Sequence, residues 1–197
     1  YSRWFTEEVL PADPRIKTMV MLPLSDPEAC LRVVEYFGDH PSVVGFMVAS
    51  ARRTPVHDNK LMRVYRAIEE RGMPIGFHAV HDQKERMFEG MNRFISVHSL
   101  GFVFFNMVHI TNWIFNGMPE RFPDLKVVWI ESGLAWAPFL MQRLDNEFMM
   151  RTSEAPLLRS RPSEYMRQMY YSSQPMETDN LEAVEMTLKM MNADTQV

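Results

Sequence analysis

Leu125-Lys126-Val127-Val128-Trp129-Ile130-Glu131-Ser132-Gly133 holds the clearest strand in the chain. Its apolar run is nearly continuous, which leaves no face for water. Strands of this kind lie in parallel sheets covered by helices. Glu131 ends the strand, Ser132-Gly133 marks a tight turn, and a helix carrying Ala137, Leu140, Met141, Leu144 and Phe148 follows.

The same unit repeats on both sides. Ile16-Lys17-Thr18-Met19-Val20-Met21-Leu22-Pro23 is a strand, and Ser25-Asp26-Pro27-Glu28 offers a capping box before a helix with Leu31, Val34 and Phe37. Ser42-Val43-Val44-Gly45-Phe46-Met47-Val48 is followed by a polar loop from Arg52 to Asn59. Next comes a helix with Leu61, Val64, Tyr65 and Ile68 on one face, closed by Gly72. Ile75-Gly76-Phe77-His78-Ala79 is the third strand and is expected to pair parallel with the second. A long apolar helix around Phe104 to Asn116 and a Pro-rich turn from Pro119 to Pro123 lead into the central strand. After it come a connection from Ser153 to Pro162, a short helix around Glu164 to Gln168, and the strand Met169-Tyr170-Tyr171-Ser172. A last helix repeats Leu181, Val184, Leu188 and Met191. Five such strand-helix units predict an α/β fold with an all-parallel sheet, either doubly wound or a barrel. No linker or low-complexity segment divides the chain, so residues 1–197 are expected to form a single domain.

With 46% hydrophobic and 23% charged residues and a formal net charge of −4, the 197-residue chain has a globular composition. The acidic balance argues against nucleic acid as a partner, because such binding relies on neutralising phosphates. The single cysteine, Cys30, cannot form an internal disulfide and lies in an apolar helical pattern, which points to a reducing compartment, the cytoplasm. The uncharged stretch from Phe94 to Pro119 is long enough to span a bilayer. It is interrupted by Ser96, His98, Ser99, Asn106, His109, Thr111, Asn112 and Asn116, so a buried helix is expected and no membrane partner. The eighteen methionines fall at core spacing, as at Met141, Met166 and Met191, and read as packing rather than metal ligands.

In parallel α/β folds the chemistry gathers at the carboxyl ends of the strands. Two ends are chemically loaded. His78 interrupts an apolar strand where an imidazole could bind a divalent metal or shuttle a proton, the alternative being a hydrogen-bonded structural histidine. A carboxylate directly after Val127-Val128-Trp129-Ile130 must be paired, metal-bound or open to a cleft, because unpaired burial is costly. Glu131 is therefore the sharper candidate, its alternative being an ion pair with a loop arginine. Arg52 and Arg53 could clamp a substrate carboxylate through bidentate hydrogen bonds or simply be solvated. His81 is expected in solvent at the next helix start, and His98 and His109 are uninformative. There is no Gly-rich phosphate loop, paired CxxC or nucleophile elbow.

Pro119-Glu120-Arg121-Phe122-Pro123-Asp124-Leu125-Lys126-Val127-Val128, then Trp129-Ile130-Glu131-Ser132-Gly133, Leu134-Ala135-Trp136 and Gln142-Arg143-Leu144-Asp145, resembles the amidohydrolase-related family. The nearest likeness is to the branch around aminocarboxymuconate-semialdehyde decarboxylase. Arg161-Pro162-Ser163-Glu164-Tyr165 and Pro74-Ile75-Gly76-Phe77-His78 are similar to the same branch. The resemblance implies a (β/α)8 TIM barrel enzyme with a divalent metal ion, zinc or manganese, at the carboxyl end of the barrel. His78 matches the metal-binding histidine that ends the fifth strand. Glu131 takes the catalytic position ending the sixth, where decarboxylases of the branch carry histidine. Hydrolysis and non-oxidative decarboxylation of a small carboxylated or aromatic organic acid both stay open. The family's His-x-His or Glu-x-His pair and its last-strand aspartate have no counterpart here, so an incomplete portion of the barrel is expected, about strands three to seven. The competing expectation is a metal-free relative, or a fragment, without activity. Apolar, Met- and Trp-rich segments are compatible with a homo-oligomer.

Overall fold

The computed structural model describes residues 1–49, 54–80 and 86–192. After short helical turns that include α1 (Ser2–Trp4), the chain alternates strand and helix. The order is β1 (Thr18–Met21), α2 (Pro27–Phe37), β2 (Val43–Ala49), α3 (Met62–Glu69), β3 (Ile75–His78), α4 (Phe94–Phe115), α5 (Met118–Arg121), β4 (Val127–Ile130), α6 (Ala137–Met150), α7 (Pro162–Arg167), β5 (Tyr170–Tyr171) and α8 (Leu181–Met191). The helix boundaries follow ordinary local chemistry. α2 is capped by Asp26, whose side chain accepts from Ala29 N at 3.0 Å, with Pro27 in its first turn. The cap is thus Asp26 and not Ser25 of the anticipated capping box. The Pro-rich turn before β4 contains a helical turn of its own, α5, entered through Gly117 at φ +68°.

All five strands are parallel, and their order in the sheet is β1-β2-β3-β4-β5. A doubly wound sheet needs a reversal of strand order to place helices on both faces. Right-handed crossovers between strands in unbroken sequence place every helix on one face, as in a barrel wall. Register confirms the division. Val48, Phe77, Trp129 and Tyr171 lie side by side and are buried under the helices, as are Phe46, Ile75 and Val127. Phe77 stacks on Trp129 with ring centroids 5.0 Å apart, and Trp113 of α4 meets both Phe77 and Tyr65 of α3. The opposite, concave face carries Met21, Met47, Gly76, Val128 and Tyr170, with Ala49, His78 and Ile130 one step further along. Met19 and Ile130 close over Gly76, where a Cβ would stand 2.7 Å from Ile130 Cδ1 and 3.1 Å from Met19 Cε.

The expectation of a buried helix between 94 and 119 is corrected. Ile110, Trp113 and Ile114 are buried, but Ile95, Leu100, Phe104 and Val108 are exposed, Ile95 at 70%. Twenty-two residues make a helix of about 33 Å, against about 13 Å for the four residues of β4. Asn106 lies level with the carboxyl end of β4, bonded to Ile130 O and Ser132 Oγ. About 18 Å of helix before it therefore runs past the sheet. Among the described residues, α4 is the one helix long and apolar enough to cross a membrane.

Candidate active site

His78 and Glu131, distant in sequence, meet at the carboxyl end of the sheet. His78 is paired with Ile130, so Glu131 stands one residue beyond its neighbour. There His78 Nε2 lies 2.9 Å from Glu131 Oε2, with the two side chains 31% and 39% exposed. The other ring nitrogen of His78, Nδ1, lies 2.7 Å from Ala79 O, which can only accept, so Nδ1 carries a hydrogen and donates. A histidine held in this way by a carbonyl has its tautomer and ring plane set, with the lone pair of Nε2 turned to the Glu131 side, where it can take a proton or a metal. Among the described residues, the carboxylate is paired with a histidine.

The direction of Glu131 is imposed by the backbone. Its φ is +61°, in the left-handed region that residues with a Cβ seldom enter. Its N–H donates to Ser172 Oγ at 2.9 Å at the end of β5, and Ser132 Oγ accepts from Asn106 Nδ2 at 3.0 Å. Gly133 follows at φ +65° and has no room for a side chain. A Cβ would sit 2.5 Å from the Pro175 carbonyl oxygen and 2.7 Å from Glu177 Oε1. Glu177 Oε2 accepts from Leu134 N at 3.3 Å and Ala135 N at 3.2 Å just before α6, and Trp136 Nε1 donates back to Ser132 O. The turn that carries Glu131 is thus fastened from α4, β5 and the loop after β5.

One imidazole nitrogen and one carboxylate are donors of the kind that Zn²⁺ and Mn²⁺ take. Among the described residues, no group of three His, Cys, Asp or Glu side chains is placed to hold a metal ion. Arg52, Arg53 and His81 lie outside the described residues. Ser172 stands among the strand-end residues visible in the sequence, but nothing there says that its hydroxyl holds Glu131. Asn106 is missed altogether, its one signal being an amide inside an uncharged apolar helix.

The motif segments around Glu120, Asp145 and Ser163-Glu164-Tyr165, which also carried the family resemblance, have a different task. Asp145 of α6 accepts from Ser163 N and Ser163 Oγ, both at 2.8 Å, at the start of α7. Tyr165 Oη donates to Glu120 of α5 and accepts from Arg159 N and Ser160 N. Glu120 and Tyr165 precede β4 and β5, at the end of the sheet opposite to His78, so this network fastens helices and leaves the chemistry to the other end.

The sequence profile of the amidohydrolase family matches residues 1–185. The chain belongs to the amidohydrolase family. No curated protein matches the chain in sequence. Among solved structures, the 5-carboxyvanillate decarboxylase of Sphingomonas paucimobilis is similar with a TM-score of 0.80 at 23% identity, over 96% of this chain and 57% of that one. The 2,6-dihydroxybenzoate decarboxylase of Rhizobium gives 0.75 at 18%, over 100% of this chain and 63% of that one. The dihydroxybenzoic acid decarboxylase of Polaromonas, solved with bound manganese and the inhibitor 2-nitroresorcinol, gives 0.80 at 18%, over 99% and 61%. At these identities the likeness is one of fold. The chain spans about three fifths of their length, and its five strands form an arc of a TIM barrel.

Proposed function

We propose that this chain supplies the central strands of a metal-dependent enzyme that hydrolyses or non-oxidatively decarboxylates a small carboxylated or aromatic organic acid. The contact between His78 Nε2 and Glu131 Oε2 at the carboxyl ends of neighbouring parallel strands carries the reading. It joins a nitrogen ligand and an acid/base carboxylate where barrel enzymes keep their chemistry. His78 would hold a divalent ion, zinc or manganese, through Nε2, with Nδ1 donating to Ala79 O. Such an ion supplies Lewis-acid polarisation of a bound oxygen. Glu131 moves the proton. In decarboxylation the bond to the carboxylate breaks, carbon dioxide leaves, and the electron pair left on carbon takes a proton from the Glu131 carboxyl group. In hydrolysis the Glu131 carboxylate takes a proton from the attacking water. Arg52 or Arg53 would pair with the substrate carboxylate, and the buried thiol of Cys30 suits a cytoplasmic setting. The names of the three similar structures favour decarboxylation of an aromatic acid.

The test is turnover of hydroxylated aromatic carboxylates with Mn²⁺ or Zn²⁺ by the whole enzyme, following carbon dioxide release and water incorporation separately. His78→Ala is expected to abolish metal-dependent turnover, and Glu131→Gln to lower kcat by about 10²-fold or more. Full activity and full metal occupancy in His78→Ala would overturn the assignment. A second reading, a metal-free binding module, is favoured by the two-donor set among the described residues. Stoichiometric metal bound to the chain, measured by elemental analysis, would exclude it.

A further inference from the structure

Asn106 is 1% exposed on α4, and the two hydrogens of its Nδ2 go to the Ile130 carbonyl oxygen at 3.2 Å and to Ser132 Oγ at 3.0 Å. These are the residues immediately before and after Glu131, so one amide grips both flanks of a residue in left-handed backbone. The other end of the same amide, Oδ1, is buried with no hydrogen-bond partner among the described residues. An unsatisfied buried carbonyl is destabilising, and asparagine forms helix less readily than leucine. For packing alone, an apolar side chain of this size would serve α4 better. What only the asparagine provides is the pair of donors at Ile130 and Ser132.

We propose that Asn106 is a positioning residue, which holds Glu131 in its left-handed conformation so that the carboxylate stays beside the His78 ring. The proposal deepens the proposed function and rests on its reading of Glu131 as the acid/base. A carboxylate displaced by an ångström binds substrate as before but transfers its proton badly.

The experiment uses the whole enzyme with an aromatic carboxylate substrate. Asn106→Leu is expected to lower kcat at least 10-fold with KM changed less than about 3-fold, an interaction lost in the transition state and not in binding. In a Glu131→Gln background the same substitution is expected to cost nothing further in kcat, because its effect passes through Glu131. A merely structural Asn106 would multiply the loss in both backgrounds and would overturn the proposal. Should Asn106→Leu fail to fold, Ser132→Ala removes one of the two grips and is read by the same cycle. Crystal structures of the variant and the parent give a readout independent of activity. Glu131 is expected to leave positive φ and its carboxylate to leave His78 Nε2. An unchanged φ and contact would overturn the proposal, even if Glu131→Gln proves fully active and the acid/base reading itself has failed.

Discussion

The backbone at Glu131 permits a test that does not depend on activity. At φ +61° a residue with a Cβ carries a penalty of about 1–2 kcal/mol that glycine does not. Glycine also brings extra freedom to the unfolded chain, which costs about 0.5–1 kcal/mol relative to alanine. Both Glu131→Ala and Glu131→Gly lose the same contact with His78, worth at most about 1 kcal/mol for a pair as exposed as this one. That loss cancels between the two variants and leaves the backbone term. Glu131→Gly is therefore expected to be more stable than Glu131→Ala by about 0.5–1 kcal/mol, the reverse of the order within regular helix or strand. With a urea m-value of about 2 kcal/mol/M, the midpoints should differ by about 0.25–0.5 M. Equilibrium urea unfolding followed by fluorescence and circular dichroism measures this, provided that the slopes agree. An alanine variant as stable as the glycine variant would refute the argument that the site holds Glu131 against its backbone preference. Agreement would identify a strain that an unconstrained turn would not keep, of the kind found at functional sites.

Three other outcomes are expected. Burial, with the neighbouring His57 second, lowers the pKa of His109 from 6.5 to about 4. Between those values the unfolded chain takes up a proton that the folded chain refuses. His109 thus takes nothing from stability above pH 6.5 and removes up to the order of 3 kcal/mol as pH falls to 4. Urea unfolding at pH 7 and pH 5 should show a smaller loss in His109→Leu than in the parent, and equal losses would contradict the assignment. The Cys30 thiol is pushed up to about 11, mainly by burial and then by the Asp26 carboxylate, so it should resist disulfide reagents at pH 8 until denaturant is added. Rapid labelling of native protein would refute this. Asp145→Ala removes both bonds to Ser163 and should cost about 1–2 kcal/mol with no change in metal binding, read from urea midpoints and elemental analysis.

The strands were legible because the signal for each is local. An apolar run with no polar face, as at Val127–Ile130, has to be covered on both sides wherever the chain places it. Strand ends were legible too, so His78 and Glu131 could each be singled out from its neighbours alone. That they touch was not, because contact depends on the register of β3 against β4 and on the left-handed turn at Glu131, neither of which leaves a mark in residue spacing. The choice between a doubly wound sheet and a barrel wall also waited for the strand order. The exposed run of α4 went unread because periodicity shows which side of a helix is apolar, and not where the sheet beneath it stops. Sequence alone established the elements and the chemistry available at their ends, since each depends on residues within a few positions of one another. Folding added the partners: Asn106 of α4 reaches Ile130 and Ser132, on either side of Glu131, across 24 and 26 residues of chain, and Ser172, just after β5, reaches Glu131 across 41, distances over which only packing can bring side chains together.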